Sequence, residues 1–168
     1  VAVELNADLL PFAQRHRPDD GLALLMAEPG VEYLVDDVRH FARTTPERFD
    51  LVLIPPSGKP KDVSAPSAAD HILTEEAIAD YLACLNTQGL LAITVGAPWH
   101  PELGDARARV LGLLRRGLTR AGVARPEQHV IGFAPGFLYL SLAPFTADEV
   151  ARGSAMAEGM RRQPRTLT

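Results

Sequence analysis

The chain has 168 residues, of which 46% are apolar and 23% charged, and its 17 basic and 21 acidic side chains leave a formal charge of −4. That is the size of one domain with one core and the composition of an ordinary globule, which excludes a disordered tail and a collagen-like repeat. No apolar run reaches the roughly 20 residues a membrane helix needs, and no signal peptide is recognisable in the opening residues.

Short apolar runs alternate with helical patterns, which predicts a parallel α/β sheet. Val1–Leu5 reads as a strand. Two helical stretches follow, Ala7 to about Arg15 and Gly21–Ala27, the second closed by Pro29-Gly30. Val31–Val35 is the next strand and Val38–Arg43 a short helix. Thr45-Pro46 reads as the start of a turn, a capping hydroxyl before a proline at a first helical position. Phe49–Ile54 is almost continuously apolar, as expected of a strand covered on both faces. Pro55–Ala69 is rich in Pro, Ser, Gly and Lys and long enough to be a binding loop.

Thr74 caps a helix with Ile78, Tyr81, Leu82 and Leu85 on one face and Glu75 and Glu76 in its first turn. Leu90–Val95 is a buried strand. Ala106–Ala121 is an amphipathic helix whose Val110, Leu111, Leu114 and Leu118 share a side. Gln128–Phe133 and Phe137–Ala143 flank Ala134-Pro135-Gly136 and read as an antiparallel hairpin. Thr146 to Glu149 is a capping box opening the last helix, and beyond about Arg161 a frayed tail is expected. A mostly parallel sheet that ends in a hairpin is the pattern of the Rossmann-like fold used by methyltransferases.

Ligands of open α/β sheets sit beyond the carboxyl ends of the strands, so acids there are the first candidates. Glu4 ends the first strand, and a carboxylate in that place can accept both hydroxyls of a ribose. Asp36 and Asp37 follow the second strand and could accept from an adenine amino group, or simply cap the helix behind them. Residues 1–100 carry 15 acidic and 7 basic groups; an acidic half suits a cationic substrate, and the overall sign argues against nucleic acid. His16, His40, His71, His100 and His129 are dispersed without metal-ligand spacing, so no metal is expected. Cys84, the single cysteine, reads as a packing residue and cannot make an internal disulfide, which fits a reducing, cytoplasmic setting. Trp99 and His100 could line the mouth beyond the Leu90–Val95 strand.

The stretches VAVELN (1–6), VEYLVDDVRHF (31–41), RFDLVLI (48–54) and ILTEEAIADYLACLNTQGLLAITV (72–95), in that order, resemble the spermidine synthase-like family. GVARPEQHVIGF (122–133) and LYLSLAPFTADEV (138–150) are similar to the C-terminal part of its long bacterial members. The resemblance spans about residues 1–150 and implies one partial Rossmann-like domain over residues 1–160. It implies that Glu4 holds the ribose of decarboxylated S-adenosylmethionine, or of S-adenosylmethionine itself, and that Asp37 meets the adenine, with Asp36 beside it. Arg39 matches the arginine of the family's acid-small-arginine element, and Val38 replaces its small residue. The loop with Pro56, Ser57, Asp62 and Asp70 would gate the substrate.

Two departures stand beside these matches. The family's proton-accepting Asp is replaced by Pro55, which has no such side chain, and Asp50 sits too early in its strand to substitute. Ile54-Pro55-Pro56-Ser57 also lacks the polar and aromatic ends of the Pro-Pro element of amino-group methyltransferases. The family's first strand and glycine-rich turn, which would precede Val1, are missing from the sheet order 3-2-1-4-5-7-6. The resemblance implies aminopropyl transfer to a polyamine; the alternatives are methyl transfer and a silent domain kept for assembly or regulation, which both departures favour. The expected partners are a small nucleoside, a polyamine and the remainder of a longer parent chain, through which membrane tethering could arise; a homodimer is compatible.

Overall fold

The computed structural model describes residues 1–19, 21–55, 71–94, 104–133 and 137–162. The chain divides into two compact units, Val1–Thr45 and Pro46–Thr168. In the first, β1 (Ala2–Glu4) is followed by α1 (Leu9–His16), α2 (Gly21–Ala27), β2 (Tyr33–Val35) and α3 (Val38–Thr44). β1 and β2 pair in parallel, with Ala2 opposite Tyr33 and Glu4 opposite Val35. The small residues Ala13 and Ala23 are the buried positions of α1 and α2.

β2 starts two residues later than the apolar run suggests. The Val31 amide donates to Glu28 O at 3.1 Å, closing a turn in which Gly30 has φ +88°, a conformation that favours glycine. The Thr45-Pro46 expectation is corrected: Thr45 ends α3 instead of opening a helical turn. Its amide donates to Phe41 O at 2.8 Å, while its own φ of −64° and ψ of 132° are extended, the region to which a following proline restricts the residue.

The second unit runs β3 (Phe49–Ile54), α4 (Glu75–Ala83), β4 (Leu85–Thr94), α5 (Gly104–Arg120), a 3-10 turn (Pro126–Gln128), β5 (Val130–Phe133), β6 (Phe137–Leu140) and α6 (Ala147–Arg162). Its sheet has the order β3-β4-β6-β5, parallel between β3 and β4 and antiparallel in the other two pairs. The core is Ile78, Tyr81 and Leu82 of α4, Leu91 and Ile93 of β4, Leu114 and Leu118 of α5, and Leu140 of β6, all fully buried. The Thr74 hydroxyl accepts from the Ala77 amide at 3.2 Å and starts α4 where the sequence places it.

β4 is longer than Leu90–Val95. Phe49 pairs with Leu85 and Leu51 with Leu90, so the register slips between them. Gly89 lies within this slip, where a Cβ would stand 2.7 Å from Phe49 O. The apolar strand β3 is not covered on both faces: Leu51 and Leu53 are 57% and 55% exposed, whereas Ile54 is 4% exposed. Among the described residues β1 pairs with β2 alone and β3 with β4 alone.

The capping box of α6 forms as read. The Thr146 amide and hydroxyl both donate to Glu149 Oε2 at 2.7 Å, and the Glu149 amide donates back at 3.3 Å. Hydrogen bonds from the Thr146 backbone first, and its hydroxyl second, hold the Glu149 carboxyl below its ordinary range. A depressed folded value means this stabilisation is complete above the ordinary Glu range and is lost as pH falls through the folded value. Glu149→Gln should accordingly flatten the acid limb of a plot of melting temperature against pH.

Gly117 of α5 lies close against α4, where an added Cβ would stand 2.5 Å from Ile78 Cβ and Cγ2. Gly117→Ala should therefore destabilise the second unit by about 1–3 kcal/mol through overpacking, despite the better helix propensity of alanine. Urea denaturation followed by circular dichroism measures this.

Candidate functional site

β1 and β2 end side by side, and their pairing continues one residue further: the Asp36 amide donates to Glu4 O at 3.1 Å. This contact brings the Glu4 and Asp36 backbones together at the carboxyl end of the two strands. Glu4 is half-buried, and its Oε1 accepts from the Asn6 amide at 2.8 Å. Its second oxygen has no hydrogen bond among the described residues, so part of the carboxylate remains open to a ligand.

The two aspartates are differently occupied. Asp37 is the N-cap of α3, and its Oδ1 accepts from the Arg39 amide at 2.9 Å and the His40 amide at 3.1 Å. Asp36 accepts from the Asp37 amide at 2.7 Å and grips the His40 ring, with Nδ1 at 3.0 Å from Oδ1 and 2.9 Å from Oδ2. The His40 side chain is 65% exposed and that of Asp36 32%. The sequence reading missed His40 because it searched the histidines for metal-ligand spacing. The signal was the acid four residues before it, which a helix start brings onto one side.

Tyr33 shares a face of the strand pair with Glu4, since their partners Ala2 and Val35 alternate with them in the register. Its Oη is sealed from solvent without a hydrogen bond. Desolvation first, and the Glu4 carboxylate second, push the phenol above its ordinary range, and the Leu10 backbone, outside hydrogen-bond geometry, offsets part of this.

The remaining candidates fall in the second unit or outside the described residues. Pro55 directly follows β3 and is exposed. Pro56, Ser57, Asp62, Asp70, Trp99 and His100 lie outside the described residues. Asp50 stays at the amino end of β3, where its Oδ1 accepts from Asn86 Nδ2 at 2.7 Å. Cys84 is buried and donates to Asp80 O at 3.3 Å, and burial is the main cause that raises its thiol above the ordinary range. It packs instead of reacting. His129 is buried with Nδ1 on Ser141 O at 3.0 Å. Among the described residues no group of three His, Cys, Asp or Glu side chains could hold a metal ion, and no helix is long and apolar enough to cross a membrane. An open groove of about 480 Å³ runs between α6 and β4–β6, lined by Leu90, Ile131, Tyr139, Phe145 and Met156 among others. It lies toward the amino end of β4, away from the strand ends where ligands of such sheets bind.

The fold of the chain is similar to three solved structures. Spermidine synthase from Thermotoga maritima matches with a TM-score of 0.54 at 17% identity, over 99% of this chain and 51% of that one. A spermidine synthase in complex with the transition state analogue AdoDATO matches with a TM-score of 0.54 at 16% identity, over 99% of this chain and 50% of that one. Human methyltransferase-like protein 13 in complex with SAH matches with a TM-score of 0.55 at 12% identity, over 99% of this chain and 72% of that one. No family model and no curated protein matches the chain. The chain therefore has a Rossmann-like, methyltransferase-type α/β fold, and it spans about half the length of the spermidine synthases it resembles.

Tyr33→Phe removes a buried hydroxyl that makes no hydrogen bond among the described residues. Thermal unfolding should show no loss of stability, and a gain of up to about 1 kcal/mol, because a desolvated and unmade hydrogen bond is itself a cost.

Proposed function

We propose that this chain is the nucleoside-binding part of a spermidine synthase-like transferase, which holds decarboxylated S-adenosylmethionine for aminopropyl transfer to a polyamine. The carrying observation is the open half of the Glu4 carboxylate at the end of β1, fixed beside Asp36 by the backbone bond between the two strand ends. A carboxylate there accepts from two adjacent ribose hydroxyls, and charge-assisted bonds of this kind are the stronger ones. Asp37 acts in this reading by shaping the turn at the base of the nucleoside. The similarity in fold to spermidine synthases supports the reading.

In the transfer, the amine lone pair forms a bond to the carbon beside the sulfonium. The carbon–sulfur bond breaks, its electron pair goes to sulfur to leave a thioether, and the new ammonium loses a proton to water. Pro55 supplies no base, so the chain's contribution is to orient the nucleoside for in-line attack. The acceptor side falls to the segment after Pro55, with Pro56, Ser57, Asp62 and Asp70. Methyl transfer is the second reading, favoured by the absence of a base at Pro55 and by the larger share, 72%, of the methyltransferase-like protein that the chain covers.

Calorimetric titration with decarboxylated S-adenosylmethionine, S-adenosylmethionine and 5′-methylthioadenosine tests this. Tightest binding of the decarboxylated form, weakened about tenfold in Glu4→Gln, is the expected result, and a 2′-deoxy nucleoside should lose most of that sensitivity to Glu4. Preference for the intact compound supports methyl transfer. No binding by any of the three overturns both readings and leaves a silent domain kept for assembly or regulation.

A further inference from the structure

A polar group sealed from water without a partner costs the folded state free energy, so each such group calls for an explanation. Tyr33 Oη is one: it is shut off from solvent and makes no hydrogen bond among the described residues. Ala2, Glu4, Tyr33 and Val35 share one face of the β1–β2 pair, with Tyr33 directly opposite Ala2 and diagonal to Glu4. Diagonal neighbours on one face are within reach of an aromatic side chain, and an alanine in the opposite position leaves room for the ring. The electrostatics of the phenol agree with that placement. Burial first and the Glu4 charge second raise it, whereas the Leu10 backbone, at the start of α1, lowers it. A backbone dipole that lowers a phenol turns its amide end toward the oxygen, which leaves the hydroxyl proton for an acceptor. The Glu4 carboxylate supplies one: Oε1 accepts from the Asn6 amide at 2.8 Å, and Oε2 has no hydrogen bond among the described residues. We infer that Tyr33 is a positioning residue of the candidate site, whose hydroxyl donates to the Glu4 carboxylate when a ribose covers it.

This inference rests on the nucleoside reading proposed above and makes it more specific. A carboxylate has about four acceptor positions. The Asn6 amide takes one, two adjacent ribose hydroxyls take two, and the Tyr33 hydroxyl takes the fourth. Glu4 is half-buried, so water reaches its carboxylate in the ligand-free chain. A ribose laid over it displaces that water, and a carboxylate deprived of water needs donors from the protein. Tyr33 Oη has already lost its own water on folding. Its bond to Glu4 therefore forms without a further desolvation cost, and a hydroxyl donating to a carboxylate makes one of the stronger hydrogen bonds. The hydroxyl thus contributes nothing to the ligand-free fold and strengthens the complex, a combination that separates positioning from packing.

Two measurements on the whole chain test the assignment. The first needs no ligand: carbon-13 NMR of the tyrosine Cζ, with Tyr33→Phe to assign the signal, follows the phenol as it titrates. The midpoint should lie above that of free tyrosine and move down in Glu4→Gln. A midpoint that Glu4→Gln leaves unmoved puts the two groups too far apart and overturns the inference. The second is a double-mutant cycle by calorimetry with 5′-methylthioadenosine, on the wild type, Tyr33→Phe, Glu4→Ala and the double variant, beside their ligand-free melting temperatures. Tyr33→Phe should weaken binding about three- to tenfold without lowering the melting temperature, and should change it less than about twofold in the Glu4→Ala background. Unchanged binding in Tyr33→Phe, or the same loss in both backgrounds, overturns the inference and leaves the nucleoside reading intact. A lowered melting temperature of ligand-free Tyr33→Phe means that the hydroxyl is already bonded in the free fold, and overturns it too. Failure of the wild type to bind the nucleoside overturns both readings.

Discussion

The hydrogen bond from the Asp36 amide to Glu4 O is the contact on which the candidate site depends. β1 and β2 have only three residues each, so few ladder bonds fix their register. A slip by one residue would turn every side chain to the other face of the pair. If β1 slipped, Glu4 would exchange places with Val3 while Tyr33 and Val35 kept their face. The bond just past the strand ends holds the register where Glu4 and Asp36 leave the ladder.

Much of the architecture was legible in the sequence because its signals are local. Thr74 and the Thr146–Glu149 box mark helix starts by side-chain to backbone hydrogen bonds that need no tertiary partner. β3 and α2 have the bounds their apolar patterns and flanking turns suggest. The errors came where a non-local partner decides. The start of β4 depends on where Phe49 meets Leu85, and the exposed face of β3 depends on what packs over Leu51 and Leu53. A continuous apolar run records what a strand can bury, not what lies on it. Thr45-Pro46 was ambiguous between opening one helix and closing another, and the Thr45 amide on Phe41 O settled it for closing.

At the candidate site, sequence and structure agree on position, with Glu4 at the end of β1 and Asp36 and Asp37 just after β2. Three acids near two strand ends were visible as candidates, but their division into an open carboxylate, a helix cap and a histidine clamp depends on side-chain directions. Asp36 and Asp37 are adjacent in sequence but differently engaged, because Asp37 is the N-cap of α3 and Asp36 stands just before it. Asp50 stands at the other end of β3 from Pro55, where Asn86 Nδ2 donates to it.

The Asp36–His40 contact also has an energetic character that bears on its role. It is an exposed pair four residues apart at the start of a helix, and such pairs contribute about 0–1 kcal/mol to stability. α3 already has its N-cap in Asp37, which satisfies two amides without any help from the imidazole. The fold therefore has little need of the clamp. What the clamp adds is orientation: both oxygens of Asp36 hold the exposed ring at the start of α3. An interaction that adds so little stability can be substituted with the folded state left largely intact.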